Sequence, residues 1–295
     1  MAIKKSKPQI AISIDVEDWY HSRHVSSLSS DPNSDVINFK NQYNKNYNYL
    51  EVPLLETLSL LKKYNAKATF FIVADLIEQY EKLIRKMVDE GHEIGCHEMH
   101  HISYYGNGDE RERELFRKNV TQSKMALEQF TKDKIIGYRA PSAIFRDWMI
   151  PELKALGFLY DSSICSNSLY RKSNLDLKNI ATAPFFFENR LMEIPWPYLN
   201  LFGYRIPTGG GPTLRYFGYN VTKMGINQSL KRGDTSFYFH PLDISNDQLP
   251  DVIMEKRKKF WFNKGDVTLK RLKKILARYE GDFCTCREIF EKNLV

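Results

Sequence analysis

The run "GHEIGCHEMHHISYYG", Gly91 to Gly106, packs His97, His100 and His101 into five residues beside Glu98. Neutral imidazoles are zinc ligands, and His97 to His101 fits the letters H-E-x-x-H of zinc proteases. That chemistry requires both histidines on one face of a helix, one turn apart. The surrounding residues oppose a helix. Gly91 and Gly95 precede the motif, and each glycine costs about 1 kcal/mol in a helix interior. His92-Glu93-Ile94 alternates as a strand does, and the following "ISYYGNG" supports no helix. The motif is expected at a strand's end and in the loop after it, which counts strongly against a zinc protease.

In barrels and open α/β sheets, reactive side chains collect at the carboxyl ends of strands. The strand ends of this sequence supply a consistent set. Asp15 and Glu17 follow "IAISID", His97 and His101 follow "HEIGC", Arg139 follows "IIGY", Asp161 follows "FLY", and His240 ends "SFYF". Two imidazoles and one carboxylate on Zn²⁺ leave a coordination position for water, as in catalytic rather than structural zinc sites.

The elements that must position these residues alternate. Helical spacing marks "VPLLETLSLLKKYN", "DLIEQYEKLIRKMVDEG", residues 108–130, 147–156, 217–232 and "VTLKRLKKILARY". Between them lie the strand-like runs "IAISID" (10–15), "ATFFIVA" (68–74), 92–97, "IIGYRAP", "FLYDSS", "LMEIPW", "SFYFHP" and a closing "FCTCREI". Strands alternating with helices of this length predict βαβ units and a parallel sheet or barrel. No repeat or linker divides residues 1–295, so a single domain is expected, with 22–49 and 165–215 as loop elaborations. "TGGGP" (208–212) reads as a flexible turn without the lysine of a phosphate loop.

Hydrophobic content of 42% and charged content of 27% are those of a soluble globular chain. A net charge of +7 is compatible with anionic sugars, nucleotide-linked sugars or a peripheral contact with phospholipid headgroups, but no nucleic-acid module is recognisable. The N-terminus lacks an apolar export segment, and no apolar run reaches the ~18 residues of a membrane span. A cytoplasmic location, with Cys96, Cys165, Cys284 and Cys286 reduced, is the expectation.

"SIDVED", "HEMHH", "YRAPSA", "LYDSSI" and "FYFHP" occur in that order, each at the end of a strand-like run. Together they resemble the polysaccharide deacetylase family, carbohydrate esterase family 4, over about residues 9 to 290. The resemblance implies a distorted, incomplete (β/α) TIM-like barrel of about seven strands. It also implies a metal-dependent hydrolase removing N-acetyl groups, of a branch tied to bacterial surface-polysaccharide assembly. The roles it implies are Asp15 as general base, Glu17, His97 and His101 as metal ligands, Arg139 contacting the base, and His240 as general acid. Asp161 would assist His240, and the Ser142 N–H would serve an oxyanion. The metal is expected to be divalent, most readily Zn²⁺. Glu17 stands where the family has aspartate, with Asp18 as an alternative ligand; Ser142 and Ile102 also depart from the pattern.

His21 and His24 are candidates to touch substrate, and Trp196 for an aromatic wall against a sugar. His100 is expected to face away and His92 to pack at its strand's start. The substrate would be an N-acetylated sugar, nucleotide sugar or lipid-linked glycan. Amide or ureide hydrolysis, which predicts a closed pocket, and non-catalytic glycan binding are the competing readings.

Overall fold

The structure, a computed structural model, describes residues 7–21, 48–166, 173–175, 180–250 and 259–294. Along the chain its strands are β1 (Ile10–Val16), β2 (Thr69–Ile72), β3 (Glu93–Cys96), β4 (Gly137–Tyr138), β5 (Tyr160–Asp161) and β6 (Phe185–Phe186). They continue with β7 (Met192–Glu193), β8 (Tyr198–Leu201), β9 (Tyr204–Pro207), β10 (Thr235–Phe239) and β11 (Phe283–Cys284). The helices used below are α1 (Glu51–Lys63), α2 (Glu81–Asp89), α3 (Glu110–Thr131), α4 (Met149–Ala155), α5 (Gly211–Leu230), α6 (Pro241–Ile244), α7 (Asp266–Arg278) and α8 (Cys286–Lys292).

The path β10-β1-β2-β3-β4-β5-β7 is parallel throughout; β6 adds antiparallel to β7, and β11 pairs with the start of β1. The sheet curls into a half-barrel, the distorted (β/α) barrel that the family resemblance implies. Its ends do not pair among the described residues. Ser236 Oγ on β10 instead donates to the Pro195 carbonyl beyond β7 at 3.1 Å.

Strand periodicity divides the core into two packings. Ile10, Ile12 and Ile14 of β1, Phe70 and Ile72 of β2, and Phe237 and Phe239 of β10 join the large cluster under the helices. Ala11, Phe71, Tyr160, Met192 and Ile194 form a second cluster inside the curl, with Ile289 and Phe290 of α8 closing its base. Full burial of each such large side chain contributes about 1.5–3 kcal/mol. Gly95 explains the glycine inside the histidine-rich run: a Cβ there would meet the inward ring of Phe71 at 2.6 Å.

Two local expectations differ from the structure. "FCTCREI" is a strand only at Phe283–Cys284, because a reciprocal cap between Thr285 and Glu288 (Thr285 N to Glu288 Oε2, 2.6 Å) starts α8 there. The helix expected from 217 is present after a break at Gly218 (φ 74°), and a further helical segment from Gly211, with Pro212 in its first turn, precedes it, so residues 208–211 are a buried helix start and not a flexible turn.

Candidate active site

The inward parity of the strands delivers the functional side chains to one end of the curl. Ala11, Ser13 and Asp15 alternate inward along β1, and Glu17 continues that period past the strand. His97 follows Gly95 on β3, Arg139 follows β4, and His240 follows the inward Tyr238 of β10. They meet at a cavity of about 210 Å³ lined by Asp15, Glu17, His97, His101 and His240, with Trp196 and Tyr238 on its wall.

His101 joins them because the loop after β3 curls back. Glu98 and His101 both adopt left-handed backbone, φ 69° and 61°, a conformation non-glycine residues rarely take. The buried Glu98 carboxylate accepts from the N–H groups of His100 (2.7 Å) and Ile102 (2.9 Å) and from the Tyr104 hydroxyl (3.2 Å). Glu98 therefore builds the loop, which explains in contacts why no protease-like helix forms. The His97 and His101 rings end 4.8 Å apart.

Glu17, His97 and His101 each offer a ligand atom, all within 4.8 Å of one another. His97 Nδ1 donates to the Arg139 carbonyl at 2.8 Å, which leaves Nε2 facing Glu17 Oε2 at 3.6 Å. Such a hydrogen bond on the far nitrogen typically orients a metal-binding histidine. His101 Nε2, buried, is 2.6 Å from the same oxygen but lacks a hydrogen-bond geometry to it. Converging lone pairs in that arrangement fit a divalent cation with imidazole and carboxylate ligands. Burial opposes ionisation of Glu17, but His101 and His240 hold its carboxyl well below the usual range.

Asp15 Oδ1 accepts from Arg139 Nη1 at 2.6 Å. Arg139 is itself fully buried, donating to the Ser162 carbonyl, Ser162 Oγ and Ser13 Oγ, with the Phe71 ring 4.1 Å from its guanidinium carbon. Asp15 Oδ2 remains toward His240 Nε2, 4.0 Å away. Burial alone would lower the His240 imidazolium, yet Glu17, Asp243 and Asp15 raise it to about 9.

The carboxylate behind His240 is Asp243 and not Asp161. Asp243 Oδ2 accepts from His240 N at 2.8 Å and lies 3.1 Å from Nδ1, and its other oxygen pairs with the buried Arg215 at 2.7 Å. Asp161 follows the inward Tyr160 and so points the opposite way. It accepts from Ser163 N and Oγ at 3.0 and 2.7 Å, and burial raises it and the neighbouring Glu193 carboxyl. Neither Asp243 nor Arg215 was a candidate from the sequence: Asp243 lies three residues after His240 in a short helix, and Arg215, 25 residues before His240, carries no local signal.

His21 is also corrected. It is enclosed, its Nδ1 accepting from Asp18 N at 3.0 Å and its Nε2 3.4 Å from Asp75, so it has no face toward the cavity. Asp18 is held by Trp19 N (2.7 Å) and the Tyr80 hydroxyl (2.9 Å), and burial pushes it up to about 7; Glu17 is the carboxylate among the imidazoles. His100 turns to Asp75 and His92 accepts from Ala68 N, while His24 lies outside the described residues. Ser142 lies on the cavity wall in left-handed backbone, φ 56°. Trp196 lies there too, its ring 4.1 Å from that of Tyr238 and its Nε1 donating to the Ser162 carbonyl at 2.9 Å.

A Cβ at Gly211 would overlap Asp243 Oδ2. Gly211→Ala is expected to displace that carboxylate and lower turnover by about 10–100-fold, as loss of an orienting partner does. Metal content should stay unchanged; elemental analysis beside a rate assay checks both.

Residues 52–160 match the family model for polysaccharide deacetylase, and residues 162–291 match a domain of unknown function (DUF3473). Both segments contribute strands to the one sheet. A peptidoglycan-N-acetylglucosamine deacetylase of Bacillus cereus is 28% identical over 103 residues, 35% of this chain and 46% of that protein. A peptidoglycan-N-acetylmuramic acid deacetylase of Bacillus subtilis is 31% identical over 123 residues, 41% of this chain and 43% of that protein. The matches thus span less than half the length of those relatives. A Mycobacterium smegmatis structure described as a polysaccharide deacetylase superposes with TM-score 0.63 at 19% identity, covering 98% of this chain and 92% of that one, which shows the fold.

Proposed function

This chain belongs to the polysaccharide deacetylase family, and from that premise we propose that it is a metal-dependent hydrolase removing N-acetyl groups from a sugar or glycan intermediate of surface-polysaccharide biosynthesis. The observation that carries the reading is the meeting of Glu17, His97 and His101 with the Arg139-paired Asp15 and the Asp243-backed His240 at one cavity.

Glu17, His97 and His101 would hold the divalent ion, most readily Zn²⁺, which supplies a lowered water pKa and carbonyl polarisation. Asp15 Oδ2 accepts the proton of the attacking water, while Arg139, donating to Oδ1, fixes the carboxylate in place. His240 Nε2 donates a proton to the leaving nitrogen as the amide C–N bond breaks, giving acetate and a free amine. Asp243 keeps the His240 ring oriented for that donation. The Ser142 N–H is the oxyanion donor of this reading, a contribution commonly worth about 3 kcal/mol. Trp196 and Tyr238 supply an apolar wall for the sugar face or the acetyl methyl.

Acetate release tests the reading directly, with N-acetylated sugar nucleotides, chitooligosaccharides and lipid-linked glycans offered to metal-loaded protein. Stoichiometric acetate and free amine from one class would support it and name the substrate. Release from none of them, with the ion bound, would overturn the sugar assignment.

A further inference from the structure

We propose that the β8–β9 hairpin is a membrane-docking tip that inserts into an anionic bilayer surface. Its turn is Phe202-Gly203 between the paired residues Leu201 and Tyr204. Both turn residues have positive φ, 50° and 83°. Two-residue turns of that kind favour asparagine or glycine at the first position. A phenylalanine there is conformationally costly, and Phe202 is fully solvent-exposed, so its side chain gains nothing from the fold in return. A residue that satisfies neither preference points to a function outside folding.

The tip does not stand alone. Leu201 and Tyr204 beside it are 43% and 62% exposed. Asn200 N donates to Gln228 Oε1 at 2.6 Å, and Gln228 Nε2 returns a bond to the Asn200 carbonyl at 3.2 Å, tying the strand to α5. One turn before Gln228 on that helix, Met224 is 48% exposed, and Lys231 is exposed three residues after it. Tyr198, at the hairpin's base, lies between the Arg205 and Arg232 guanidiniums, 5.0 and 4.9 Å from its ring.

Charge selects the occupant. Residues 194–233 contain no Asp or Glu, and their cations outside the buried Arg215–Asp243 pair are Arg205, Lys223, Lys231 and Arg232. Helix α7, packed along α5, adds Lys270, Lys274 and Arg278; its Arg271 is turned to the Leu214 and Arg215 carbonyls and its Lys273 is paired with Glu56. An aromatic and aliphatic point rimmed by cations and tyrosine matches the headgroup region of an anionic leaflet, where each Lys or Arg near the surface contributes about 1 kcal/mol. A flat protein interface would instead call for a broader apolar patch. Pro207, at the hairpin's other end, lines the active-site cavity. Four strand residues at about 3.3 Å each put the tip roughly 13 Å from that wall, so insertion would hold the cavity mouth near the bilayer.

Flotation with vesicles of phosphatidylglycerol and phosphatidylcholine tests this without any enzymatic readout. Asparagine suits the turn, so Phe202→Asn should keep or raise the melting temperature yet lower vesicle partitioning about tenfold or more. Lys231→Glu should weaken it several-fold. Phe202→Trp should show a blue-shifted emission quenched by brominated lipid. Three results would overturn the proposal: no binding of the wild type at low salt, equal binding by Phe202→Asn, or an oligomer that Phe202→Asn dissociates while vesicles remain unbound. The last would assign the tip to a second copy of this chain.

Discussion

Replacing Asp15 with asparagine lowers acetate release by about 10²–10⁴-fold, the span of a lost general base, with bound metal at the wild-type level. The substitution is isosteric, so Oδ1 can still accept from Arg139 Nη1, and the 2.6 Å contact that fixes the side chain survives. The amide nitrogen that replaces Oδ2 cannot take a proton from water. Glu17, His97 and His101 make no use of Asp15, so metal binding reports the two functions separately. Rates within a few-fold of wild type would remove Asp15 from the reaction. Equal loss of metal would place it among the ligands instead.

Arg139→Met is expected to cost about 3–5 kcal/mol of folding stability, the range for breaking a buried ion pair from one side. Arg139 is 1% exposed at its side chain and Asp15 4%, so Asp15 would be left a buried charge whose remaining cationic neighbour is His240, 4.0 Å away. Ser13, Ser162 and the Ser162 carbonyl would lose their donor in the same stroke. The double variant Asp15→Asn/Arg139→Met should recover part of that loss because that buried charge is gone. Urea denaturation of the four proteins of the cycle measures this. A single-variant loss below about 1 kcal/mol, or no recovery in the double, would contradict a buried pair of this kind.

These two residues were readable from the chain for the same reason that Asp161 was not placed correctly. Strand parity decides which side of a sheet a residue faces. Asp15, Arg139 and His240 each fall on the inward parity of β1, β4 and β10, whereas Asp161 directly follows the inward Tyr160. Placing residues at strand ends without applying that parity admitted one carboxylate too many. The parallel sheet was legible because its strands are short apolar runs separated by amphipathic helices. Asp243 and Arg215 were not, because one depends on a four-residue helix capped by His240 and the other on how α5 packs. His21 failed on burial: its partners Asp18 and Asp75 come from separate segments, and only the folded chain shows that together they enclose the ring.

The most direct test of the central claim is elemental analysis of purified, dialysed and zinc-reconstituted protein beside Glu17→Ala and His97→Ala, read together with acetate release. The account predicts a single tightly bound divalent ion per wild-type chain, lost from both variants together with activity. Absence of a bound ion in the reconstituted wild type, or its retention in both variants, would contradict a metal site built from Glu17, His97 and His101.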